Sequence, residues 1–68
     1  MTLVIIMDSG DLVKVNSPTH AQEWLGGRYT YIEAGHIALI IRMRGGGMSD
    51  IYIDNQLVTI LTSRLYIF

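Results

Sequence analysis

There is no cysteine in the sequence, so a disulfide framework, a thiolate metal site and a cysteine nucleophile are all excluded. The absence fits a reducing compartment, and a cytoplasmic protein is expected. Long apolar runs are missing as well: no uncharged stretch approaches the roughly 18 residues that span a bilayer. The opening "MTLVIIM" lacks a basic n-region, is short for a signal h-region and stops at Asp8. No membrane partner is expected. Neither sign of charge dominates, with five Lys plus Arg against six Asp plus Glu and a net charge of −1. That balance gives no field for steering onto nucleic acid, and none for mimicking it.

What is present is apolar. Half of the 68 residues are hydrophobic, and the chain reads as a single domain, 1–68. Below about 70 to 80 residues one core rarely supplies more than about 3–5 kcal/mol of net stability. A chain so apolar and so short is expected to hide surface against a partner, and a homodimer formed through β elements is the natural form of this. The tail "LYIF", Leu65 to Phe68, would be a sticky edge in a monomer and is the expected contact.

Periodicity organises the chain. Leu3 to Met7 is a β-branched run, and "DSGD" is a turn into "LVKVN", where Val13 and Val15 alternate with polar residues. "SPTHAQEWLGG" changes period: Ser17 can cap, Pro18 suits a first helical position, and Ala21, Trp24 and Leu25 fall at i, i+3, i+4. This predicts one short helix, about 18–25, stopped by Gly26 or Gly27 in a left-handed conformation. "RYTYIEA" reads as a strand that turns at Gly35 into "HIALIIRMR", a hairpin over 28–44. There Ile37, Leu39, Ile41 and Met43 share the expected core face, and His36, Ala38, Ile40 and Arg42 the other. Asp54 and Asn55 make the turn between the next two strands. The expected fold is α+β: a mainly antiparallel sheet of five to six strands with the helix packed on one face.

The glycine run in "GHIALIIRMRGGGMSD" is the nearest thing to a ligand-cradling loop. A phosphate loop needs converging backbone N–H groups with a helix N-terminus behind them, and this run leads into a strand. It also lacks the Lys-Ser/Thr ending of a nucleotide loop. Gly45 to Gly47 is therefore read as a hairpin turn. Asp8 and Asp11 lack the further oxygen ligands of a calcium loop, and His20 and His36 have no triad partners at local spacing. No catalytic, cofactor or metal residue is assigned, and no enzyme is expected. Tyr29, Tyr31, Arg42 and Arg44 are the candidate partner-binding residues, because aromatic and arginine side chains mark interfaces and also stack on bases.

From Leu3 to about Ile41 the order of strand, turn, strand, "LGG" stop and "RYTYIEA" resembles small uncharacterised proteins of phages and mobile elements. The likeness rests on Trp24, Gly26, Gly27, Tyr31 and Glu33. It implies a phage accessory protein, a class that includes anti-CRISPR inhibitors, and carries over no functional residue. The expected function is a non-catalytic protein-interaction module that occludes a host defence complex. The alternative is nucleic-acid binding through Arg28, Arg42, Arg44 and the tyrosines of the 28–44 hairpin.

Overall fold

The computed structural model describes residues 7–67. Residues 3–6 of the expected strand at Leu3 to Met7, and Phe68, lie outside the described residues; Met7 itself is not in a strand. Among the described residues seven antiparallel strands form one sheet: β1 (Leu12–Val15), β2 (Thr19–Glu23), β3 (Tyr29–Ile32), β4 (Ile37–Arg44), β5 (Met48–Ile53), β6 (Gln56–Leu61) and β7 (Leu65–Ile67). Their order is β3-β2-β6-β5-β4-β1-β7. A single 3-10 turn, Thr62–Arg64, links β6 to β7. No helix among the described residues is long and apolar enough to cross a membrane.

The sheet is strongly curled and open between its edge strands β3 and β7 among the described residues. Val15 ends β1 and Thr19 begins β2, a link that reaches at most about 14 Å. On a flat sheet β1 and β2 would stand four strand spacings apart, about 19 Å. The strands must therefore curl, and the curl gives the apolar face its cover. One cluster takes in Val13, Val15, Ala21, Ile32, Ala38, Ile40, Ile51, Ile53, Val58, Ile60 and Leu65, with contributions from every strand, and Met7 and Met43 pack against it.

These strands correct the α+β expectation. The fold is nearly all sheet, with seven strands where five to six were expected and no helix at 18–25. Thr19–Glu23 is a strand hydrogen-bonded on both sides, to β3 and to β6. Only Ala21 of the expected apolar stripe is buried; Trp24 and Leu25 sit exposed in the turn that follows. Two turns of helix nucleate poorly alone, and a strand with two neighbours satisfies the same backbone groups without that cost. Gly26 and Gly27 do adopt positive φ, +82° and +66°, but as the β2–β3 hairpin turn and not as a helix stop.

The 28–44 hairpin is corrected as well. β3 and β4 are adjacent in sequence yet separated by β2, β6 and β5 in the sheet. The expected core face of β4 is also reversed. Ala38 and Ile40 point inward, Ile37 and Ile41 lie outside, and only Met43 of the predicted set reaches the core. A β-bulge at Ile41, between the Ile40–Ile51 and Arg42–Asp50 pairs, swaps the faces midway along the strand. Other turn readings hold. Gly46 and Gly47 take φ of +78° in the β4–β5 connection, and Asp54 and Asn55 take +50° and +63° between β5 and β6. Asp8 to Asp11 closes on itself, with Asp11 N donating to Asp8 O and Asp8 N to Asp11 Oδ2.

Candidate functional site on the outer face

Apart from Ser49, whose hydroxyl lies 2.6 Å from Thr62 Oγ1, the inner face is filled with aliphatic side chains, and the charged groups gather on the outer face. The pairing register lays a row across five strands there: Tyr29, Gln22, Thr59, Asp50 and Arg42. A second row, Leu57, Tyr52, Leu39 and Leu12, runs beside it. The first is polar and the second apolar.

Asp50 is the centre of the polar row. Its side chain has no exposed surface, although it lies on the face away from the core. The bulge at Ile41 is the cause: with it, Arg42 and Arg44 share the face of Asp50, and their side chains cover the carboxylate. Arg42 donates to Oδ2 through Nε at 3.1 Å and Nη2 at 3.0 Å, and Arg44 donates to the same oxygen through Nε at 2.8 Å. Thr59 Oγ1 donates to Oδ1 at 2.6 Å. Trp24 Nε1 in turn donates to Thr59 Oγ1 at 3.2 Å, which fastens the exposed β2–β3 turn to the network. Burial pushes the Asp50 pKa up, but the hydrogen bonds from Arg44, Thr59 and Arg42, with the Arg44 charge, outweigh it. The carboxyl is held below the usual aspartate range.

Such an acid is unsuited to proton transfer. Both oxygens are engaged by donors, and the ionised form is the stabilised one. The network's effect is positional: it pins two arginines whose side chains remain 61% and 46% exposed. A cleft of about 410 Å³ opens beside it, lined by Gln22, Glu23, Trp24, Gly27, Arg44 and Thr59. A smaller, more apolar cleft of about 260 Å³ lies next to Leu25, Tyr52 and Leu57. The histidines stand apart from both. His20 meets Tyr31 edge to face at 5.4 Å, and His36 Nδ1 lies 2.9 Å from Asp54 Oδ2 at the β5–β6 turn.

Tyr29, Tyr31, Arg42 and Arg44 all lie on this outer face, but in two groups. The tyrosines are on edge strand β3 and the arginines on β4, about 19 Å away along the curved sheet. Between them stand Asp50, Thr59 and Trp24, which the sequence reading missed. One signal was available. Reflection of the hairpin about Gly46 pairs Arg44 with Met48 and Arg42 with Asp50, so an acid inside a strand faced an arginine of its neighbour. Comparison with protein-family models, with curated proteins and with solved structures finds no match for this chain.

Proposed function

We propose that this chain is a non-catalytic interaction module that binds a partner protein through the outer face of its sheet. One observation carries the reading. All five aromatic side chains of the described residues, Trp24, Tyr29, Tyr31, Tyr52 and Tyr66, lie outside the core at 41–70% exposure, while the buried cluster is wholly aliphatic. Aromatic rings bury the largest areas and are the strongest core formers. A domain this small that leaves them all at its surface is built to bury them elsewhere. Tryptophan, tyrosine and arginine are also the residue types that dominate binding energy at interfaces. Arg42 and Arg44, held in place by Asp50, lose little conformational freedom on binding.

The same network argues against nucleic acid. Two of the five cationic side chains are partly neutralised by one buried carboxylate, and the chain as a whole is slightly acidic. A phage-type inhibitor that occludes a host complex in the cytoplasm is the form of the module that the sequence resemblance favours. Two measurements test the reading. Anisotropy titrations with single- and double-stranded oligonucleotides should show no affinity that falls steeply with salt; steep salt dependence overturns it. Crosslinking in host extract should give a defined protein adduct that Trp24→Ser with Tyr52→Ser abolishes. An adduct pattern indifferent to those substitutions counts against the outer face.

A further inference from the structure

We propose that the protein forms a twofold dimer by antiparallel pairing of β3 with β3 of a second copy, centred on Thr30. This goes beyond the outer-face reading and does not depend on it.

The geometry starts from one hydrogen bond. Glu23 N donates to Arg28 O at 2.7 Å, which makes these residues a hydrogen-bonded pair at the end of the β2–β3 ladder. Alternation then turns the backbone groups of Thr30 and Ile32 toward β2, and those of Tyr29 and Tyr31 away from it. Among the described residues β3 is an edge of the sheet. Its free side therefore presents the N–H and C=O groups of two residues whose side chains are 70% and 56% exposed. Natural edges are normally blunted with charge, proline or a bulge, and "YTYI" contains none of these.

A second copy fits this edge. With Thr30 opposite Thr30 of the other copy, each Tyr29 faces the other copy's Tyr31, and the two pairs exchange four backbone hydrogen bonds. Aromatic pairs on one face and a Thr–Thr pair on the other are among the favourable cross-strand combinations. The same register sets Arg28 of each copy opposite Ile32 of the other, so no like charges face each other across the seam. An isologous contact needs this kind of self-complementarity. The tyrosines stay on the outer face, and pairing joins two outer faces into one.

Sedimentation and light scattering at micromolar concentration, with circular dichroism as a folding control, test the proposal. The intact chain should be in a monomer–dimer equilibrium. Tyr29→Lys with Tyr31→Lys sets lysine against lysine in both pairs and should raise the dimer dissociation constant about a hundredfold. Tyr29→Lys with Tyr31→Glu sets lysine against glutamate in the same register and should restore most of the affinity. Tyr66→Lys on the opposite edge strand should leave it unchanged. If the charged variants fail to fold, hydrogen exchange on the unaltered chain decides: the Tyr29 and Tyr31 amides should become protected as concentration rises. A monomeric mass throughout, a dimer indifferent to the double lysine variant, or concentration-independent exchange at both amides overturns the proposal.

Discussion

Removing both arginines that cover Asp50 should destabilise the fold more than removing Asp50 itself. In the Arg42→Gln, Arg44→Gln variant a carboxylate with no exposed surface keeps one donor, Thr59, of the four contacts it has. Hydrogen bonds to charged groups contribute about 1.5–3 kcal/mol each, and an unpaired buried charge costs more than the bond it lost. Both arginines are about half exposed, so water replaces part of what they supply, and the loss is discounted to about 2–4 kcal/mol in total. Asp50→Asn is milder, about 1–2 kcal/mol, because the freed guanidinium groups already reach solvent and the amide oxygen still accepts from Thr59. For a domain of this size each kcal/mol moves the melting temperature by about 4–8 °C. Thermal and urea unfolding by circular dichroism would order the four proteins: intact chain, Asp50→Asn, the triple variant that combines Asp50→Asn with Arg42→Gln and Arg44→Gln, and the arginine double variant least stable. A triple variant no more stable than the double, or an Asp50→Asn loss as large as the double's, would refute a buried charge as the cause.

Acid should expose the same group. The folded pKa of Asp50 lies below the unfolded value of about 3.9, so the native state holds fewer protons; its contribution is complete above about pH 4 and is lost as pH falls through the folded pKa. Urea midpoints measured from pH 5 down to pH 2 should fall less steeply for Asp50→Asn than for the intact chain. At the β5–β6 turn, Asn55→Gly relieves a residue held at φ +63° and should raise stability by about 0.5 kcal/mol, while Asn55→Val should lower it by about 1–2 kcal/mol. Trp24→Phe removes only the bond to Thr59 and should cost about 1 kcal/mol in denaturant unfolding, with Asp50 still protected.

Local chemistry in this chain was legible wherever one or two residues decide the backbone. Gly45 to Gly47, Asp54 with Asn55, and the Asp8 to Asp11 turn were all readable, since few residues tolerate positive φ or close a turn on their own side chains. The strand character of β1, β3, β4, β5 and β6 also followed from their runs of β-branched and aromatic residues. "THAQEWL" misled because its one buried residue, Ala21, is small, and two exposed residues of the following turn, Trp24 and Leu25, happen to complete a helical stripe. What places that segment as a strand is non-local: β6, more than thirty residues later, supplies its second neighbour. Tertiary pairing overrode a pattern of three positions.

The least legible feature is the one on which the candidate site depends. A single extra residue at Ile41 decides that Ile40 and Met43 both face the core, and so that Arg42 and Arg44 both face out above Asp50. Strict alternation from Ala38 and Ile40 would have turned Arg42 and Arg44 inward, leaving Asp50 alone on the opposite side. Neither face could tolerate that, for two cations would enter an aliphatic core while a carboxylate lost its donors. The bulge is thus selected by charge, and "IIRMR" opposite "MSD" is the sequence that demands it. Alternation read one strand at a time does not detect it, because the demand appears only when the two strands of the Gly45–Gly47 hairpin are read against each other.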